Sequence, residues 1–311
     1  MALSDVVNTF GHYLLRKYGE RVHKVAIDAG FTCPNRDGSK GMGGCTFCNN
    51  SSFSPHGRQP DPITTQLDNG RAVIARRTGA KKFLAYFQSY TNTYDDVALL
   101  KQRYDTALAQ EGVIGLSIGT RPDCVAPAVL DLLAAYRDAG HEVWLELGVQ
   151  SSFDETLRRV NRGHGFGEYA QTVQAARQRG LPVCAHLILG LPGETPAHAH
   201  TSLQRVLDHG VDGLKLHPLH VVKGTQLANE WRRGEYTPWA MAQYITSVAD
   251  LVELTPAEII YHRLTGTAAL DMLLTPHWCN WKWRVLNGIE RELLRRGTRQ
   301  GWSPTVSVAA R

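Results

Sequence analysis

The sequence predicts an α/β fold: a partial (β/α)6 barrel of TIM-like kind with a C-terminal extension. Three observations lead there. Short apolar or β-branched runs recur along the chain, each too short for a good helix. Longer segments with apolar residues three or four apart lie between them, and several of these close on glycine, as helix C-termini often do. Such alternation needs crossover connections, so the sheet should be parallel and covered by helices.

In chain order, strands are expected at Val22–Ile27, 83–87, 113–118, 143–149, Val183–Leu189 and 213–216. Helices are expected at 64–77, 95–110, Pro127–Asp138, 154–160, 168–179 and Pro196–Asp208. These units make a partial barrel over residues 1–235. Residues 236–311 read as an α/β extension packed on it: a helix from Thr237 onward, a strand at 258–264 and a helix at 283–296. No internal repeat or low-complexity tract interrupts this order. In folds of this type reactive groups gather where strands end, because the loops converge there.

With 311 residues and 43% hydrophobic content, a substantial core is available. The first apolar run is broken by Asp5, Asn8, His12, Arg16 and Lys17 and lacks a cleavage pattern, which argues against a secretory signal. No stretch approaches the roughly 20 apolar residues that cross a bilayer. A cytoplasmic protein without a membrane partner is the expectation. Six cysteines then suggest reduced thiols available as ligands rather than a disulfide framework. The net charge is +5, and residues 255–311 hold eight Lys or Arg against four Asp or Glu. That basic end suits an anionic partner such as RNA, and suits a solvated helix face equally well.

Three cysteines crowd into a Gly-rich loop after the first strand, Cys33-Pro-Asn-Arg-Asp-Gly-Ser-Lys-Gly-Met-Gly-Gly-Cys45-Thr-Phe-Cys48. Three thiolates are one short of closing a structural zinc site or fully ligating a cubane cluster, so one metal position stays open for chemistry. A zinc site completed by His56 or a distant residue is the alternative. Cysteines serving only as small hydrophobes have no reason to sit among Gly, Asp, Arg and Asn.

The sequence resembles the radical SAM superfamily, and within it the YhcC/YtqA branch, itself similar to the elongator catalytic subunit. Cys33, Cys45 and Cys48 fit that branch's C-x11-C-x2-C spacing. The likeness continues through Tyr18-Gly19-Glu20-Arg21, Gly119-Thr120-Arg121-Pro122-Asp123 and Glu146-Leu147-Gly148-Val149-Gln150-Ser151. It also takes in Asn161-Arg162-Gly163-His164, His186-Leu187-Ile188-Leu189-Gly190-Leu191-Pro192-Gly193-Glu194 and Lys215-Leu216-His217-Pro218-Leu219. The resemblance implies a 4Fe-4S cluster held by the three cysteines, with one iron left for the amino and carboxylate groups of S-adenosylmethionine (SAM). An electron from a donor such as flavodoxin or ferredoxin would then cleave SAM to a 5′-deoxyadenosyl radical. The cofactor supplies the difficult chemistry and the protein supplies placement.

The resemblance also suggests roles for single residues. Phe47 matches an aromatic residue that leans on adenine, and ordinary loop packing is its other reading. Glu146 and Gln150 should share one side of a strand and reach ribose and methionine. Arg162 offers a fork for the methionine carboxylate, with Arg158 as competitor. Gly190 matches a glycine-rich strand end near the adenosine, though such a stretch serves equally as a turn. A Gly-Gly-Glu-like turn, usual after the second strand, is replaced by Phe87-Gln88-Ser89-Tyr90-Thr91-Asn92, where Gln88 and Ser89 offer neutral hydrogen bonds instead.

Thr120-Arg121-Pro122-Asp123-Cys124 should face the same cavity, with Asp123 and Cys124 able to move a proton or hydrogen atom and Arg121 bracing the loop. Cys184 reads as core, and Cys279 as packing or cavity. Of the histidines near strand ends, 186, 217, 220 and 262, His217 is the expected catalytic member and His217-Pro218-Leu219-His220 the substrate-facing stretch. The run Trp278-Cys279-Asn280-Trp281-Lys282-Trp283-Arg284, with Arg291, Arg295, Arg296 and Arg299 beyond, can stack bases and hold phosphates, or simply cap the barrel. The sequence therefore suggests a radical SAM enzyme modifying RNA, most specifically a tRNA base. The rivals are a radical SAM enzyme acting on a small metabolite or porphyrin-like acid, and a zinc-stabilised nucleic-acid-binding module.

Overall fold

The computed structural model describes residues 2–49 and 60–302; His56 lies outside them. The chain opens with helices α1 (Leu3–Val6) and α2 (Phe10–Tyr18), then β1 (Val22–Ile27). Strand and helix alternate thereafter: α3 (Ile63–Thr78), β2 (Lys82–Phe87), α4 (Val97–Leu108), β3 (Val113–Thr120), α5 (Pro127–Asp138) and β4 (Glu142–Gln150). Next come α6 (Asp154–Arg159), α7 (Phe166–Gln178), β5 (Val183–Leu189), α8 (Pro196–Asp208) and β6 (Gly213–Pro218). The remainder holds β7 (Val221–Val222), α9 (Gln226–Arg232), α10 (Met241–Leu254), β8 (Ile260–Arg263), β9 (Leu273–Thr275) and α11 (Lys282–Arg296). Pro127 and Pro196 open their helices, where a missing N–H costs nothing. Among the described residues no helix is long and apolar enough to cross a membrane.

The main sheet runs β1-β2-β3-β4-β5-β6-β8 and every pairing is parallel. It is the expected partial barrel, with one addition: the strand expected at 258–264 does not stand apart in the extension but joins β6 as a seventh strand. The small antiparallel ladder of β7 with β9, and the short helices α1, α2 and α9, were not read from sequence.

Alternation along the strands separates two environments. Outward residues such as Val25, Phe87, Leu116, Leu145, Leu187 and Leu216 are buried against the helices, each burial stabilising by about 2 kcal/mol. Inward residues form layers. At the bottom an apolar floor joins Val22, Leu84, Trp144, Cys184 and Ile260, and α2 plugs it with Phe10 and Leu14. Thr9 pairs with Tyr261, and the Phe10 ring stacks on His262 at 3.9 Å, so α2 fills the gap between β1 and β8. Above the floor lies a polar layer: Lys24, Tyr86, Ser117, Glu146, His186, Lys215 and His262. Ala26, Gln88, Gly119, Gly148, Ile188, His217 and Arg263 make the next layer, which opens into the cavity.

Candidate active site

A cavity of about 730 Å³ opens where the strands end, within the usual range for small-molecule sites. Cys33, Cys45 and Cys48 all line it. Their loop is folded by its own backbone: Arg36 and Asp37 donate to the Cys33 carbonyl at 2.8 and 3.1 Å, and Cys48 donates to that of Cys45 at 2.9 Å. Gly44 has a φ of 81°, and a Cβ there would lie 2.8 Å from Arg36 Nε, so both conformation and space require glycine. Thr46 N–H donates to Val160 at 3.0 Å and Leu227 N–H to Thr46 at 2.9 Å, which ties the loop to the barrel rim.

Polar groups converge on the thiols. Asn35 Nδ2 and Arg162 Nη1 approach Cys45 Sγ at 3.9 and 3.7 Å, and Arg36 Nη2 donates to the Cys48 carbonyl at 2.5 Å. Burial, and then the negative charge of Cys45, push the Cys48 thiol up, while Arg36 opposes them. Cys48 feels both Cys45 and Cys33 as well as the Arg36 guanidinium, and three cysteines on one cavity-lining loop are a donor set that suits a metal centre.

Arg162 is buried, donates from Nη2 to the Gly148 carbonyl at 2.6 Å and, among the described residues, keeps Nε without a partner. A Cβ on Gly148 would lie 2.7 Å from Gln150 Nε2 and 2.9 Å from Arg162 Nη2, so this glycine makes room for both. Phe47, Gln88 and Gln150 line the same cavity. Arg158 is exposed and does not, which separates it from Arg162. Ser89 is buried outside the lining. Gly190 lies beneath Trp239, whose ring is 3.3 Å from where a Cβ would stand, and it lines a different depression.

Gln150 reaches the cavity past an irregularity of β4, at a φ of 70°, whereas Glu146 sits a layer below the cavity. Its carboxylate accepts from Lys24, Lys215 and Ser117, and pairs with His186 at 2.8 Å. Burial alone would raise its pKa, but Lys215 and Lys24 hold it well below the carboxylate range. Burial lowers both lysines in turn, and holds His186 down at about 4. Glu146, Cys184 and His186 offer ligand atoms within 4.8 Å of one another, but two ammonium groups already occupy the carboxylate.

Cys124 departs from expectation: it lines a separate outer depression with Asp123, and burial raises its thiol to about 12. The turn of residues 122–124 carries it away from the barrel interior. Asp123 is held by Arg121 at 3.0 Å and Lys40 at 2.5 Å, and Arg121 also donates to the Arg162 carbonyl at 2.8 Å, so both brace the loops. His217 and His220 line the cavity and His262 does not. Burial, followed by Arg263, keeps His217 well below its ordinary value. Lys24 and Arg263 were not singled out from sequence, and Lys215 entered only as part of a longer motif. Their signal was a cation interrupting an apolar run, as at Leu214-Lys215-Leu216.

Comparison with known proteins matches residues 33–206 to the Radical SAM superfamily and residues 211–295 to the Radical_SAM C-terminal domain. Protein YhcC of Escherichia coli K12 is 48% identical over 297 residues, covering 96% of this chain and 95% of that one. Protein YtqA of Bacillus subtilis is 37% identical over 295 residues, covering 94% and 91%. A tRNA uridine(34) acetyltransferase of Dehalococcoides mccartyi is 34% identical over 160 residues, 50% of this chain and 34% of its own. Among solved structures, the Elp3 of Methanocaldococcus infernus superposes with a TM-score of 0.64 at 18% identity, over 90% of this chain and 64% of that one, a likeness of fold. A half-barrel with its cavity at the strand ends and a matching C-terminal part thus accompany close relatives along nearly the whole length, and the chain belongs to the radical SAM superfamily of enzymes, near YhcC and YtqA.

Proposed function

We propose that Cys33, Cys45 and Cys48 hold a 4Fe-4S cluster and that SAM binds beside it in the cavity. The observation carrying this reading is that the three thiols of one loop face the cavity together with Arg162 and its unpaired Nε. A reduced cluster held there would supply the electron that splits SAM into methionine and a 5′-deoxyadenosyl radical. Arg162 then grips the methionine carboxylate, Phe47 leans on the adenine, and Gln88 and Gln150 supply neutral hydrogen bonds. Glu146 acts indirectly, holding Lys24 and Lys215 beneath the cavity floor. His217 faces the substrate. Electrons come from a cytoplasmic donor such as flavodoxin or ferredoxin.

The substrate we favour is a tRNA base. Support comes from the tRNA-acetyltransferase relative and from the aromatic and basic residues of the extension, where Trp281 and Trp283 are 46% and 70% exposed. A small acid is the second reading, favoured by a described lining that contains arginines and no Asp or Glu.

Anaerobic reconstitution tests the first part. The wild type should bind about four irons per chain, show a broad visible absorption and form deoxyadenosine with a strong reductant, and each Cys→Ala variant should lose all three properties. A colourless zinc protein overturns it. Nucleoside profiles of tRNA from cells with and without the protein test the second part: a missing modified nucleoside supports it, and an unchanged profile removes it.

A further inference from the structure

Arg263 ends β8, and an irregular register aims it. Leu214 pairs with Tyr261 and Lys215 with Arg263, so β8 carries one extra residue, His262, between the two pairs. Both His262 and Arg263 consequently face inward: His262 enters the polar layer and Arg263 reaches the cavity wall.

The other arginines of the lining are engaged. Arg36 donates to Cys48, Arg121 to Asp123 and Arg162, and Arg162 to Gly148 and Cys45. Arg263 has no hydrogen-bond or ion-pair partner among the described residues, and no Asp or Glu lines the cavity there. One carboxylate, Glu146, serves two ammonium groups in the layer below. Arg263 is thus a half-buried cation on the cavity wall with no acid lining the cavity beside it, a position that favours an incoming anion. His217 lines the same cavity two residues beyond Lys215, the register partner of Arg263, and an imidazole there can donate one N–H to an incoming oxygen.

We propose that Arg263, with His217 beside it, forms a subsite for an anionic oxygen group of the substrate, a phosphate or a carboxylate. The inference rests on the reading of this cavity as the place where SAM and substrate meet. It assigns Arg263 to the substrate, leaving Arg162 for SAM.

Binding of radiolabelled orthophosphate to the reconstituted full chain, measured by anaerobic equilibrium dialysis at low ionic strength with saturating SAM and no reductant, tests it. The wild type should bind saturably and Arg263→Gln should bind about tenfold or more weakly, the loss of one charge-assisted pair. Arg263→Lys keeps the charge, guards against a folding artefact and should fall between them. Acetate that displaces phosphate identifies a carboxylate site, and acetate that does not identifies a phosphate site; both support the subsite. Unaltered binding in Arg263→Gln, equal loss in both variants, abolition of binding by SAM, or no saturable binding by the wild type overturns it. Deoxyadenosine formation by the wild type without added anion reports on the radical reading by itself, so the two can fail separately.

Discussion

At Gly148 and Asp123 the site depends on single atoms. A methyl group on Gly148 would stand 2.9 Å from Arg162 Nη2, so Gly148→Ala should displace the guanidinium while the sheet survives. SAM affinity, read by equilibrium binding, should fall about tenfold, with the unfolding transition shifted by no more than about 1–3 kcal/mol. Asp123 makes a prediction about pH. Burial raises its pKa, but Arg121 and Lys40 outweigh this and bring it to about 2, below its ordinary 3.8. A depressed carboxyl contributes stability above its unfolded pKa and loses it as pH falls through the folded one. About 2 kcal/mol should therefore disappear between roughly pH 4 and pH 2, and Asp123→Asn should flatten that part of the denaturation-versus-pH curve. The thiol triplet was legible at this scale because its ligands share one loop. Arg263 was not, because an arginine closing a four-residue strand reads as a solvated end until the register shift turns it inward.

Whole elements were legible where periodicity was strong and bounded. Pro127–Asp138 and Pro196–Asp208 emerge with the limits read from sequence, since Pro fixes the start and the apolar stripe fixes the run. Helix α2 escaped notice because its buried residues are only Phe10 and Leu14, and their partners lie on strands distant in sequence. Its role is that of a stopper. Phe10 packs edge-on against Trp144 at 5.5 Å, stacks on His262, and lies 4.5 Å from Lys24 Nζ. Phe10→Ala should cost about 3–5 kcal/mol in denaturant unfolding, because it opens a cavity beneath a layer of buried charge. A cost near that of a surface change, about 0.5 kcal/mol, would show that the floor closes without it.

At the scale of the molecule the question is how a cavity sized for a cofactor and one small group can serve a polymer. The extension supplies a physical link. Asn280 Oδ1 accepts from the Ala268 N–H at 3.2 Å, and Ala268 lines the cavity, so the segment leading into α11 is pinned to the rim. Just beyond it, Arg284 lies 4.8 Å over the Trp281 ring and Lys282 5.4 Å from that of Trp283. Aromatic faces paired with cations can stack an unpaired base and neutralise its phosphate while a neighbouring nucleotide enters the cavity. If RNA is the substrate, tRNA binding should weaken linearly in a logarithmic plot against salt. Replacing Lys282 and Arg284 together by Gln should lower that slope by about 1.5, the value for two lost phosphate contacts. Trp283→Ala should weaken binding without changing the slope, since stacking releases no counterions. Filter binding across a salt series measures both, and equal binding by the wild type and the double variant at every salt concentration would leave the extension as a packing element and favour the small acid.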